Sequence, residues 1–167
     1  WVMLLGPTLD PRVAFDVIQR LPHLGIRMRE HSRRALAIAQ HLESLGLKVI
    51  YPGLPLHPGH ERIKAMANAG YGFGGMLAID CQTSARAEQL LSVLQNKERF
   101  GLIAVSLGYF DTLMSCSSSS TSSEIPQDEQ DRIGLSPGLL RLSIGYTDSL
   151  ESRLTQIERA VREVSLV

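Results

Sequence analysis

The sequence predicts an α+β domain: a mostly antiparallel sheet with helices on one face, preceded by a long helix. Short apolar runs of strand type and helix-periodic stretches follow one another at intervals too uneven for a doubly wound sheet, and no internal repeat appears. The longest helical pattern, residues 25–45, comes before every predicted strand. Residues 139–146, LLRLSIGY, alternate apolar positions with a period of two, which marks a strand with one buried face. On this reading residues 1–46 form an N-terminal helical segment and residues 47–167 a small domain.

Composition narrows the function classes. A chain of 167 residues can hold one well-buried domain, or one with an extension. Its 17 basic and 17 acidic residues leave no net charge to draw nucleic acid or an anionic membrane, and no basic block interleaves with aromatics. The apolar runs fall far short of the ~20 residues that a spanning helix needs. Cys81 and Cys116 make no disulfide framework, which points to a reduced, cytoplasmic protein. No signal peptide is visible, and Trp1 followed by VMLL reads as a chain that begins in the middle of something.

Residues 2–5 are a short apolar run ended by Gly6-Pro7-Thr8. Asp10 then caps a helix with Pro11 at its first position, running to Arg20 with Val13, Val17 and Ile18 at helical spacing. Leu21-Pro22-His23 interrupts it. The long helix follows, with Ile26, Ala35, Leu36, Ile38, Ala39, Leu42 and Leu45 on its apolar side and Gly46 as its stop. Arg27, Arg29, Arg33 and Arg34 crowd its start beside Glu30. There they oppose the macrodipole, as a solvated face or a surface for an acidic partner.

Residues 47–51 read as a strand. His57 and His60 sit in a Pro/Gly loop without the third and fourth ligands a zinc site needs. A short helix covers residues 61–68. Residues 70–75, GYGFGG, lack the Walker spacing and lead into a strand at 76–81. Residues 84–94 form an amphipathic helix capped by Thr83 or Ser84, with Ala87, Leu90, Leu91 and Leu94 inward. Strands follow at 102–105 and 112–114. Residues 115–123, all Ser, Thr or Cys, cannot build a core and read as a loop. A short acidic helix spans 127–132. The closing helix, 148–164, starts at the cap pair Thr147-Asp148. It turns Leu150, Leu154, Ile157, Ala160, Val161 and Val164 inward and Glu151, Arg153, Glu158 and Arg159 outward.

Arg141 stands in the middle of the most regular strand. A guanidinium keeps its proton, so burial demands an anion, best a planar one gripped by two parallel hydrogen bonds. No adjacent carboxylate supplies it. Either a distant Asp or Glu folds in, the head reaches water at a sheet edge, or the anion is a ligand.

Three segments, AVSLGYFDTL at 104–113, LLRLSIGYTD at 139–148 and the helix that follows, occur in an order and spacing that resemble the small C-terminal domain of the pyridoxal-phosphate-dependent Cys/Met metabolism enzymes. Members typically show V-S-L-G-G-x-E-[ST]-L and later G-L-[VIL]-R-[LM]-S-[VI]-G-x-E-[DN]. IRMREH at 26–31 is similar to a segment of the family's interdomain helix. Within the family, GPTLDP, MREHS and MSCSSSSTSSE look most like the plant-type methionine γ-lyases. Cys116 and the serine run stand where most members have H-P-A-x-M-T-H.

The resemblance implies a fold type I small domain, pyridoxal 5'-phosphate bound mainly by an upstream domain, a sulfur amino acid as substrate and a homo-oligomer, in this family typically a tetramer. It implies substrate-binding roles for Arg141, on the α-carboxylate, for Ser106, which helps place that group, and for Leu107, through its backbone. It assigns no catalytic, cofactor-binding or metal-binding residue to this chain. The family's cofactor lysine lies in an S-x-T-K motif, and Lys48, Lys64 and Lys97 lack that context, so these residues alone are expected to be inactive. The alternatives left open are cystathionine γ-lyase, cystathionine γ-synthase and a truncated, non-catalytic module.

Overall fold

Five strands form one sheet in the order β1-β2-β5-β4-β3, in a computed structural model that describes residues 6, 8–117 and 125–167. They are β1 (Val49–Ile50), β2 (Met76–Asp80), β3 (Leu102–Ile103), β4 (Leu113–Cys116) and β5 (Leu139–Ser143). The regular strand β5 takes the centre, antiparallel to β2 on one side and β4 on the other. β1 is antiparallel to β2, and β3 runs parallel to β4. The predicted α+β class with a mostly antiparallel sheet is what the chain adopts.

The helices are α1 (Pro11–Arg20), α2 (Leu24–Ser44), α3 (His60–Met66), α4 (Ser84–Ser92), α5 (Gln127–Arg132) and α6 (Leu150–Glu163). Alternation along the strands buries Leu77, Ile79, Met114, Cys116, Leu140 and Leu142 on one face. Ala35, Ile38, Ala39 and Leu42 of α2, Ala87, Leu90 and Leu91 of α4, and Ile157, Ala160 and Val161 of α6 join them in one core. Each buried Leu or Ile contributes about 1.5–3 kcal/mol relative to exposure. The other face of the sheet sets Ala78, Arg141 and Ser115 side by side across β2, β5 and β4.

Local chemistry accounts for most helix ends. The Asp10 carboxylate accepts from the N–H groups of Arg12 and Val13, at 2.8 and 3.3 Å. Gly46, at φ +89°, ends α2 where a side chain would be strained. Leu21–His23 forms a tight 3-10 turn, so α1 and α2 are joined by less of a break than the proline suggests. After α4 the chain widens into a π-type turn at Val93–Lys97 that carries Leu94 into the core.

Several expectations change. Ser115 and Cys116, read as loop, lie in β4 and are buried, because a central ladder asks only for backbone donors and acceptors and for side chains small enough to fit. The rest of the serine run, residues 118–123, and the apolar run at 2–5 lie outside the described residues. β5 ends at Ser143. Ile144 and Tyr146 instead donate to the carbonyls of Gly75 and Phe110, both at 2.8 Å. α6 starts at Leu150 with Ser149 as its cap; Asp148, at φ +62°, cannot open the helix.

Ile26 is exposed, as are Val13, Val17 and Ile18, and α1 buries nothing. The arginines of α2 are not one solvated face. Arg33 pairs with Glu30 and Arg29 lies over the Tyr71 ring. Arg34 is buried, with Glu30 and the carbonyls of Thr147 and Asp148 as partners. Arg153, placed outward by the helical pattern, is also buried.

Candidate functional site

β5 carries Arg141 on the sheet face away from the core, between Ala78 and Ser115. Its guanidinium neither projects freely into water nor meets an acid. Nη2 donates to the backbone carbonyls of Val105 at 2.9 Å, Ser106 at 3.2 Å and Ala104 at 3.5 Å. Nε is buried and unpartnered, and the neighbouring Ser115 hydroxyl, also buried, is unpartnered too. Among the described residues no carboxylate pairs with Arg141. A cation held only by carbonyl dipoles keeps most of its attraction for an anion, because dipoles orient a charge without neutralising it.

The segment that supplies those carbonyls is the one the sequence singles out. Ser106 and Leu107 are both exposed, Leu107 at 60%. Ser106 meets Arg141 through its carbonyl; its hydroxyl has no partner among the described residues. Gly108 turns the chain at φ +74° and its N–H donates to the Ser143 hydroxyl at 3.0 Å. The structure therefore brings Arg141, Ser106 and Leu107 together, although they lie more than thirty positions apart in the chain. Sequence reading missed Ser143, which anchors the turn; its place two residues after Arg141, on the same face of β5, was the available signal.

Next to this turn lies a cleft of about 190 Å³ lined by Arg27, Met28, His31, Met76, Leu107 and Ser143, among others. His31 is buried, and its Nδ1 donates to the Ile144 carbonyl at 2.5 Å. Its ring meets Tyr146 edge-on.

A lysine that carries a carbonyl cofactor must be desolvated enough to lose its proton. Lys48, Lys64 and Lys97 are largely exposed and pair with Asp80, Glu61 and Glu163. Burial pushes the Cys81 thiol up to about 12, so it is no nucleophile either. His57 and His60 serve local structure: the His57 Nδ1 accepts from Gly59, while His60 opens α3, bonds the Pro52 carbonyl and stacks on Phe73.

A half-buried arginine thus faces an exposed Ser-Leu-Gly turn, on a small α+β domain with a long leading helix. The chain belongs to the Cys/Met metabolism PLP-dependent enzymes, whose family model matches residues 1–161. Over 159 residues it is 54% identical to a methionine gamma-lyase of Arabidopsis thaliana, covering 95% of this chain and 36% of that protein. A cystathionine gamma synthase of Xanthomonas oryzae, solved with cystathionine, superposes with a TM-score of 0.81 at 31% identity, over 98% of this chain and 41% of that one. A Campylobacter jejuni protein described as an O-acetylhomoserine (thiol)-lyase, solved with a pyridoxyl-lysine adduct, gives 0.83 at 26% identity, over 97% and 38%. The chain thus spans well under half the length of the relatives it matches. The family depends on pyridoxal phosphate, and these proteins confirm the fold type I assignment.

Proposed function

We propose that this chain forms the substrate-carboxylate side of a PLP-dependent carbon–sulfur lyase that cleaves methionine, with one water consumed, to methanethiol, 2-oxobutanoate and ammonia. One observation carries the reading: Arg141 is a half-buried fork whose only partners among the described residues are carbonyls and whose Nε is bare. Arg141 grips the planar carboxylate of the amino acid, and Ser106 with the Leu107 backbone closes around it. Held at that end, the substrate keeps a fixed orientation at Cα, and the apolar surface of Leu107 limits water there. None of the three lysines takes the cofactor, so the covalent chemistry belongs to other residues of the complete protein. Residues 1–46, as a helical segment, would join the small domain of residues 47–167 to that part. The family resemblance supports a cytoplasmic homo-oligomer, a tetramer.

Methionine is favoured by the 54% identity to the Arabidopsis methionine gamma-lyase. Cystathionine is the second reading, favoured by the likeness to the Xanthomonas synthase. In the full-length protein, Arg141→Ala should lower kcat/KM for methionine by about 100-fold, the effect of losing charge-assisted hydrogen bonds. An unchanged kcat/KM removes Arg141 from the site, and a higher kcat/KM for cystathionine than for methionine reverses the choice of substrate. In the same assay the 167 residues alone should turn over neither amino acid.

A further inference from the structure

Arg153 is 7% exposed on α6, and every donor of its guanidinium is used. Nη1 donates to the carbonyls of Arg99 and Phe100, both at 2.8 Å, and Nε to the Thr147 carbonyl at 3.3 Å. Nη2 meets the Thr147 hydroxyl at 2.9 Å and the Asp111 carboxylate at 3.2 Å. The same Asp111 oxygen accepts from the Thr147 hydroxyl at 2.6 Å and the Thr112 N–H at 2.9 Å. One ion pair therefore ties together the end of the turn that presents Ser106 and Leu107, the exit of the strand that carries Arg141, and the start of α6.

The backbone confirms how tightly those segments meet. Tyr146 donates to the Phe110 carbonyl at 2.8 Å and Gly145 to the Thr112 hydroxyl at 3.0 Å. A Cβ on Gly145 would stand 2.4–2.6 Å from backbone atoms of Phe110, Asp111 and Thr112. The segment between β3 and β4 is then pinned at its far end by Asp111 and in its middle by the Gly108–Ser143 bond. The carbonyls that reach Arg141, those of residues 104–106, lie between the Gly108 pin and the Ala104 N–H, which donates to the Met114 carbonyl at 2.9 Å.

We propose that Asp111 and Arg153 are positioning residues for the substrate carboxylate: they hold the segment of residues 104–110 against β5, and so set where Ser106 and Leu107 stand relative to Arg141. The proposal rests on the reading of Arg141 as the carboxylate site. Neither residue touches substrate. Their effect passes through the aim of Arg141, and a substrate that does not use Arg141 is indifferent to them.

The test is a double-mutant cycle in the full-length protein with Asp111→Asn and Arg141→Ala, read by KM and kcat for methionine and by thermal unfolding. Asp111→Asn keeps the shape and the Thr112 contact but removes the charge. With Arg141 present it should raise KM about tenfold and change kcat less than about threefold. In the Arg141→Ala background it should change kcat/KM less than about twofold, while the shift in unfolding temperature stays the same in both. Equal loss of kcat/KM in both backgrounds, or an unaltered KM, overturns the positioning role. Should Arg141→Ala alone leave kcat/KM intact, the carboxylate reading fails, and the positioning role with it. If Asp111→Asn does not fold, Arg153→Lys, which keeps the charge but not the fork, runs the same cycle with the same criteria.

Discussion

Three arginines of this chain illustrate how a side chain's leftover donors reveal its use. Arg34 spends its guanidinium on Glu30 and two carbonyls, Arg153 on an acid, a hydroxyl and three carbonyls. In both, every guanidinium nitrogen has a partner, and both serve structure. Arg141 has one nitrogen on carbonyls and a bare, buried Nε. Burying such a donor without a partner costs about 1–3 kcal/mol, more when it carries charge, and a ligand that satisfies it recovers that cost on binding. Geometry as well as charge matters at this position, since a lysine presents a point charge where the carboxylate needs a fork. In the full-length protein, Arg141→Lys should therefore recover less than about a tenth of the wild-type kcat/KM for methionine. Recovery to within about twofold would show that charge alone suffices.

At the scale of elements, the first turns of α2 depend on Glu30. The hydrogen bond from Arg33 holds its carboxyl down, burial works against this, and Arg34 adds to the lowering, for a net fall from 4.5 to about 2. A folded pKa below the unfolded one stabilises the fold above the unfolded value and loses that contribution as pH falls through the folded one. The contribution is thus full above about pH 4.5 and fades toward pH 2. Thermal unfolding of the wild type and Glu30→Gln should differ near neutrality and converge as the pH is lowered through this window. A constant difference would mean that the Glu30 charge is not what holds the turn. Helices were legible in the sequence because periodicity and caps are local: α1 and α5 fall on their predicted spans. Four of the strands came out shorter, since a ladder is ended by its partners, while β4 gained Ser115 and Cys116. β1 and β3 each retain two paired residues although their apolar runs are longer. Burial of Arg153 and Arg34 was invisible for the same reason. Both are held by the junction at residues 147–148, which a helical wheel does not contain.

Over the whole molecule, one face of the sheet is closed by helices and the other is left with Arg141, Ala78 and Ser115. Large apolar side chains remain exposed on α1 (Val13, Phe15, Ile18) and along the site segment (Leu102, Val105, Leu107). The sequence singled out Arg141, Ser106 and Leu107 as candidates, but could not show that Ser106 meets Arg141 through its carbonyl, because that contact depends on how β3 and β4 register. What all of this rests on is the partner Arg141 takes when substrate arrives. The most direct measurement is a crystal structure of the full-length protein with a non-reactive methionine analogue bound. Nitrogens of the Arg141 guanidinium should lie about 2.7–2.9 Å from both carboxylate oxygens. A carboxylate bound elsewhere, with Arg141 still resting on the carbonyls of Val105 and Ser106 alone, would contradict the account.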